Sequence, residues 1–380
     1  MRKIAILGAS ALQVPLIEKA KSMGIETHVF AWASNDIGEK IADYFYPIST
    51  VEKEAILEEC RRIGIDGICS IASDLAMITV NYVASELGLT GNTVEATIKS
   101  TNKHRMREAF LNNGDPSPKS VLVDKKSDLS TLSMTFPVIV KPTDRSGSRG
   151  IFKLNGPEGL ERAVENAIKL SFEKKALVEE YVEGQEYSVE FISYAGKHQF
   201  IALTKKYTTG APHFIETGHL EPASVGEDLL KEIKSVISHA LDSLGLKYGA
   251  SHSEIKVDAE GNIRLIEIGG RMGGGFIGSD LVALSTGFDF VEAVLKVSLG
   301  EEPDLHDIRP RGASAIRFIL SEYDLEALDR LKKENFRLLV KEDIKAELNG
   351  PVTDDSNRHG FFIMRASTVE ELMSYLPDPL

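Results

Sequence analysis

An α/β fold with more than one domain follows from three features of the chain. Short apolar runs alternate with helical patterns over residues 1–97. A lysine-ended strand runs into a small-residue loop at 143–150, and two strands bearing one carboxylate each flank a turn at 258–262. The opening is β-α-β. An apolar run over 3–7 ends at Gly8, a helical pattern passes through Leu16, Ile17, Ala20 and Met23, and a second strand covers 27–31. The pattern repeats through a helix after Glu52, a strand over 67–71 and a helix over 75–87, which reads as a parallel α/β layer domain. Its first turn, Gly8-Ala9-Ser10-Ala11-Leu12-Gln13, lacks the later glycines of a dinucleotide fingerprint, so a nicotinamide site is rejected; a plain turn and a substrate-contacting loop both stay open.

A helix over 101–112 follows, made basic by Lys103, His104, Arg105 and Arg107, and is stopped by Asn113-Gly114. The strand over 136–142 ends with Lys141 and enters the loop containing Ser146, Gly147, Ser148, Arg149 and Gly150. Small residues there let backbone N–H groups approach an anion, and Lys141 supplies a point charge. No Gly-Lys-Ser/Thr precedes a helix, so this is not a Walker loop. After a helix over 158–171, Glu179, Glu180, Tyr181 and Val182 lead through Gly184 and Glu186 into a strand over 187–193. The loop 208–219 carries His213, Glu216 and His219, and reads equally as a lid over a substrate or as a surface excursion. A helix over 226–244 comes next, then the carboxylate hairpin, a helix over 288–299 and a strand over 315–320.

Alternation in the hairpin sends Ile255, Val257, Ile266 and Ile268 to the core and Glu254 and Glu267 to the other face. Pairing symmetric about the turn sets the two carboxylates opposite, roughly 5 Å apart at Cβ, where like charges oppose folding unless neutralised. A divalent cation would neutralise them. Mg²⁺ takes hard oxygen ligands and leaves positions for substrate phosphates, and Arg271 lies just past the second strand. A solvated strand face with tolerated repulsion is the alternative, since a one-residue slip undoes the pairing.

The chain has 380 residues, with 44 basic against 57 acidic residues and a net charge of −13, which argues against nonspecific attraction to nucleic acid or anionic membrane. Cys60 and Cys69 have neither zinc-site nor disulfide-framework spacing, so a reducing cytoplasm is expected. The first residues imitate a signal peptide only until Gln13 and Glu18-Lys19 interrupt the apolar run, and no stretch approaches a membrane span.

In this order, basic helix, strand ending in lysine, glycine-rich loop, glutamate-rich hinge and carboxylate hairpin ending in arginine, the chain resembles the ATP-grasp superfamily of carboxylate-amine ligases. The resemblance covers nearly the whole chain. It implies a Rossmann-like pre-ATP-grasp domain over 1–97, an ATP-grasp fold of two α+β subdomains clasping ATP over 98–306 (lid subdomain about 120–183), and a C-terminal extension over 307–380. Matched residue by residue, it implies that Lys103 and Lys141 touch ATP phosphates under the loop Ser146, Gly147, Ser148, Arg149 and Gly150. Glu179, Glu180 and Val182 correspond to the adenine hinge, Glu186 to the ribose ligand, Glu254 and Glu267 to the Mg²⁺ ligands, and Arg271, with Lys141, to the catalytic cations. Many members read Glu-Ile-Asn-Pro-Arg where this chain reads Glu267-Ile268-Gly269-Gly270-Arg271, so Gly269 cannot supply the usual side-chain oxygen to a metal. That form resembles the L-amino-acid ligase branch.

The implied reaction joins a small-molecule carboxylate to an amine through an acyl phosphate, with ATP and Mg²⁺, and Mn²⁺ as the implied substitute for Mg²⁺. Glu216, His219 and Arg317 are candidate substrate contacts by position. Biotin carboxylase-, glycinamide ribonucleotide synthetase- or carbamoyl phosphate synthetase-like ligases, and a nucleotide-binding regulator without turnover, are the alternatives. A homodimer is the default for such an enzyme.

Overall fold

The computed structural model describes residues 1–345, 348 and 350–377. Three sheets organise it. The first is parallel, in the order β3-β2-β1-β4, from β1 (Lys3–Leu7), β2 (Glu26–Phe30), β3 (Tyr44–Tyr46) and β4 (Gly67–Cys69). The second is antiparallel, order β5-β8-β6-β7, from β5 (Ser120–Val123), β6 (Val138–Pro142), β7 (Phe152–Leu154) and β8 (Ala176–Glu180). The third takes β9 (Gln185–Tyr194), β10 (Lys197–Thr208), β11 (Glu216–Glu221), β12 (Gly249–Val257), β13 (Ile263–Gly269), β14 (Ala313–Ile319), β15 (Leu339–Ile344) and β16 (Gly360–Ala366) in the order β13-β12-β9-β10-β11-β14-β16-β15. The strands among the described residues after 307 therefore extend the third sheet and do not build a sheet of their own. Among the described residues no helix is long and apolar enough to cross a membrane.

Each sheet buries a distinct apolar face. The second packs Val138, Val140 and Val178 against Val164, Ala167 and Ile168 of the helix Leu160–Leu170, forming a small core separate from the rest. The third is covered by the helix Glu227–Leu244, through Ile233, Ile237 and Leu241 on Val189, Phe191 and Ile255. The helix Phe290–Ser298 joins the third sheet to the first, because its Phe290, Val294 and Leu295 share one core with Ile4, Ile6, Ile192 and Ile201. That shared core fixes the first sheet against the site.

Two sequence expectations are corrected. The helix expected to start at 101 starts at Lys103, after a separate helix Val94–Thr101. Asn102 between them is extended, and its side-chain oxygen accepts from His104 N and Arg105 N at 3.1 Å each, an N-cap that resets the helix. In the carboxylate hairpin Glu254 and Glu267 are register partners as expected, but a β-bulge follows and pairs Ile255 with Leu265. Ile266 is the extra residue, so it joins Glu267 on the cavity side, and Ile263, Leu265 and Ile268 fill the core.

One carboxyl is buried in the third sheet. Glu221 of β11 accepts from Ser285 Oγ at 2.6 Å and Thr204 Oγ1 at 2.7 Å. Burial pushes its pKa up to about 7, and Glu190 nearby adds to the rise while the two hydroxyls work against it. The folded state thus holds a proton that the unfolded chain, with an ordinary pKa of 4.5, has lost by neutral pH. Stability is full below the unfolded value and falls as pH rises through about 7. Glu221→Gln is expected to flatten urea-unfolding stability between pH 5 and 8, and to exceed the native chain by up to about 3 kcal/mol at pH 8. An unchanged slope would show that Glu221 is ionised throughout.

Candidate active site

A cavity of about 660 Å³ lies where the three sheets meet, a volume typical of a small-molecule site. Leu12, Ala72 and Asp74 reach it from the first sheet's loops, Ile139, Lys141 and the hinge Glu180-Tyr181-Val182 from the second, and Glu186, Lys206, Glu216, Glu254 and Glu267 from the third.

The opposed hairpin carboxylates each carry a lysine. Lys103 Nζ, at the start of the basic helix, donates to Glu267 Oε1 at 2.7 Å and to Arg145 O at 2.8 Å. Lys206 Nζ lies 2.8 Å from Glu254 Oε1, 2.8 Å from Glu216 Oε1 and 3.1 Å from Glu186 Oε1, with its side chain 2% exposed. Burial opposes that charge, but three carboxylates outweigh it and hold the lysine pKa well above its usual value. Glu254 and Glu216 are held well below the carboxylate range, since Lys206 overcomes the cost of burying them. The other oxygens of Glu254 and Glu267 have no hydrogen-bond partner among the described residues. Lys206 was not singled out from the sequence because its partners lie on three different strands.

One turn along the basic helix, Arg107 shares its face with Lys103. Its guanidinium lies 2.8 Å from Glu179 Oε1 and donates to Ile266 O at 2.7 Å, while Lys141 Nζ sits 2.5 Å from Glu179 Oε2. All three side chains are buried. Burial lowers the Lys141 pKa, and Glu179 only partly restores it. Glu179 itself is held down by Arg107 and Lys141 against the cost of burial. Its carboxylate is thus committed to two cations, and Glu179 lines the cavity together with Glu180, Tyr181 and Val182.

Strand pairing sets further rows across the third sheet. His252 stands opposite Glu190 on one side and Gly269 on the other. His252 Nδ1 bonds the Glu190 carboxylate, Nε2 lies 3.6 Å from Glu254 Oε1, and Gly273 N donates to Glu190 Oε2 at 3.2 Å. Glu190, with Glu254, raises the His252 pKa to about 9 although burial opposes it. The period-two spacing Glu186-Ser188-Glu190 and His252-Glu254 was a legible signal for both.

The glycines around Arg271 make room for these groups. A Cβ on Gly273 would fall 2.7 Å from His252 Nδ1 and 2.9 Å from Glu190 Oε1, and one on Gly275 would fall 3.0 Å from His219 Nε2. A Cβ on Gly269 would meet Asp74 Oδ1 at 2.6 Å. Asp74 grips Arg271 by two bonds, Nε to Oδ1 and Nη2 to Oδ2, both 2.9 Å.

At the far end, Glu216 Oε2 lies 3.2 Å from Arg358 Nη2, and Asp355 Oδ1 accepts from Glu216 N at 3.2 Å. Arg358 also pairs with Asp355 and covers the Phe318 ring at 3.8 Å. His219 lies beneath the wall, fully buried, 3.5 Å from Glu216 Oε2 and edge-on to Phe318. Burial lowers its pKa in spite of Glu216.

Of the expected loop, Ser146, Gly147, Ser148 and Arg149 line the cavity, and Ser148 Oγ donates to Phe214 O at 3.2 Å. Gly150 does not. It packs against Leu170 and Pro142, where a Cβ would fall 2.6 Å from the leucine. Arg317 is not brought to the site either. Phe318 takes the cavity side of β14, so its neighbour Arg317 points to the other face and bonds Asp324 Oδ1 at 2.9 Å and Tyr375 O at 3.1 Å.

The family model described as an ATP-grasp domain matches residues 134–280. Over that stretch the chain is similar to an ATP-grasp domain. Alanine–anticapsin ligase of Bacillus subtilis (strain 168) is 28% identical over 279 residues, covering 67% of this chain and 58% of that protein. D-alanine–D-alanine ligase of Pseudomonas putida (strain GB-1) is 24% identical over 221 residues, 55% of this chain and 66% of that one. This chain therefore spans roughly three fifths of the length of the first relatives it matches. Among solved structures, an L-amino acid ligase from Bacillus licheniformis superposes with a TM-score of 0.84 at 21% identity, over 99% of this chain and 96% of that one. An ADP complex of N5-carboxyaminoimidazole synthetase from Staphylococcus aureus superposes with 0.79 at 15% identity, over 98% and 95%. The whole described chain thus has the ATP-grasp architecture, its first sheet and its last three strands included.

Lys206 is the cation on which three of the cavity's carboxylates converge. Lys206→Met leaves Glu186, Glu216 and Glu254 facing one another, and is expected to cost about 3–5 kcal/mol in denaturant unfolding at pH 7. The depressed carboxylates contribute above their ordinary pKa and lose that contribution as pH falls. The difference between native and variant chains should therefore begin to shrink only below about pH 4.5 and go on shrinking as pH falls further. A difference independent of pH would assign the loss to packing.

Proposed function

We propose that the protein is an ATP-dependent carboxylate-amine ligase acting on amino-acid substrates. The opposed pair Glu254 and Glu267, ringed by Lys103, Lys206 and Arg271 in one cavity, carries this reading. The names of the relatives, two of them amino-acid ligases and one an L-amino acid ligase, support the substrate class.

Two carboxylates with an unpartnered oxygen each suit Mg²⁺, which needs hard oxygen donors and fills its remaining positions from phosphate and water. Among the described residues no group of three or more His, Cys, Asp or Glu is placed to hold a metal ion. Glu254 and Glu267 would hold Mg²⁺, and when bound it supplies charge neutralisation at the transferred phosphoryl group. Mn²⁺ is expected to substitute.

The hinge Glu180-Tyr181-Val182 would take adenine and Glu186 the ribose. Lys103, Lys141 and Lys206 would face the phosphates beneath Ser146, Gly147, Ser148 and Arg149. A substrate carboxylate oxygen attacks the γ-phosphorus, the bond to the β-phosphate oxygen breaks, and ADP leaves with an acyl phosphate formed. This transfer between anions needs positioning and cations more than a protein nucleophile. An amine nitrogen then attacks the acyl carbon and gives up a proton, and inorganic phosphate departs from the tetrahedral intermediate. Arg271 would stabilise its oxyanion, and Glu216, over His219, would face the ammonium of an amino acid. The loops meeting at Ser148 and Phe214 would exclude water from the acyl phosphate.

Phosphate release is to be measured with ATP and Mg²⁺, with and without a pool of L-amino acids, and the mixture examined by mass spectrometry. A dipeptide mass tied to phosphate release is the expected result. Bicarbonate-dependent turnover without amino acids would redirect the reading to a carboxylase-type ligase, and ATP binding without turnover on any pool would overturn it. Glu267→Ala should lower turnover at least about a hundredfold while circular dichroism stays native. Normal turnover by the folded variant would remove the metal assignment.

A further inference from the structure

The first domain does more than flank the nucleotide cavity. Asp74 opens the helix Asp74–Leu87, directly after the loop that leaves β4, and lies 197 residues from Arg271 in the chain. Yet the two form the only side-chain clasp of Arg271 among the described residues, a bidentate fork with both bonds at 2.9 Å. Both side chains line the cavity and both are mostly buried, at 14% and 16% exposure.

Geometry around the pair is built to hold it. Ala72 N donates to Met272 O at 3.2 Å, so the segment before Asp74 is pinned to the residue after Arg271. Ala72 adopts φ 58°, a left-handed conformation that an alanine takes at a cost of about 1 kcal/mol or more. Gly269 then leaves space for the carboxylate, since a Cβ there would sit 2.6 Å from Asp74 Oδ1 and 3.2 Å from Arg271 Nε. The residue that breaks the common Glu-Ile-Asn pattern of the superfamily is thus the one over which Asp74 passes.

A guanidinium has five N–H donors in one plane. Asp74 takes Nε–H and one Nη2–H, and Nη1 has only a 3.5 Å approach to Met272 O. Of the remaining donors, one Nη2–H and one Nη1–H form the end edge of the guanidinium, and its direction is set by the Asp74 fork. An arginine held this way loses little rotamer freedom when it meets a developing oxyanion.

We propose that Asp74 is a positioning residue for the transfer steps: it fixes the plane of Arg271, so the ligase site is completed by the first domain. The inference rests on the ligase reading above. A purely structural alternative exists, because an aspartate in the first turn of a helix also favours that helix through its dipole. The two predict different kinetics.

The test uses the full chain and the substrates found by the phosphate-release assay. Asp74→Asn keeps size and helix start but loses the anionic fork; it is expected to lower kcat by about 10- to 100-fold, the loss typical of a misplaced catalytic group. ATP affinity by calorimetry and KM for ATP should stay within about threefold, because Arg271 acts on the reacting centre. Gly269→Ala drives a methyl into the same fork and should give the same split of kcat from KM, which keeps the proposal testable if Asp74→Asn folds poorly. In an Arg271→Lys background, where no fork can form, Asp74→Asn should change kcat by less than about twofold. Native-like kcat in either single variant, or equal losses from Asp74→Asn in both backgrounds, overturns the proposal and leaves the ligase reading standing. Absence of turnover by the native chain on every substrate pool overturns both.

Discussion

Two carboxylates face each other across the hairpin β12–β13, and most of the site's architecture can be read as the cost of keeping them there. Opposed residues on paired strands stand roughly 5 Å apart at Cβ, and two like charges held at about that separation repel by a few kcal/mol at an effective dielectric near 20. Lys103 and Lys206 each contact one of the pair, and the two arrive from different directions, a helix start and, across β9, the strand β10. Burying Lys206 in turn demands Glu186 and Glu216, which gathers β9, β10 and β11 around the same point. Arg107, one turn after Lys103, extends the pattern to Glu179 and Lys141, and so ties the second sheet to the third. Charge balance therefore specifies the mutual placement of elements that share little apolar surface, as the separate core of the second sheet makes plain.

Glycine does the complementary work. Along 269–275 the backbone is approached by Asp74, by His252 with Glu190, and by His219, each within 3.0 Å of where a methyl would stand. The run is not permissive filler between Glu267 and the helix beyond it. Removing side chains from one strand end lets three polar clusters belonging to other elements converge on Arg271, and each cluster in turn limits how the loop can move.

What could be read from the sequence divides along the range of the interactions. Glu254 and Glu267 were legible because both lie in one local hairpin whose turn residues fix the register, and the order of basic helix, loop and hinge is also a local property of each segment. The bulge that turns Ile266 toward the cavity left no mark in the alternation, and position in the chain alone, which suggested Arg317, does not say which face of β14 its side chain takes. The committed carboxylate of Glu179 was hidden for another reason: both its partners, Arg107 and Lys141, are distant in sequence, and only burial shows that its charge is already spent. Lys206 and Asp74 belong to the same class. A residue whose meaning lies in three strands, or across 197 positions, has no periodicity by which to be found.

This range dependence also bears on how such a chain keeps its chemistry. The carboxylate hairpin could fold locally with its register intact and still be inert, because the cations that neutralise it come from outside: Lys103 from the helix before the second sheet, Lys206 from β10, and an Arg271 oriented by the first domain. Docking of the first domain through the core shared with the helix Phe290–Ser298 is thus coupled to electrostatics at the cavity, since the same rigid placement brings Ala72 onto Met272 and Asp74 onto Arg271. One interface therefore combines apolar burial at the helix Phe290–Ser298 with three hydrogen bonds at the cavity.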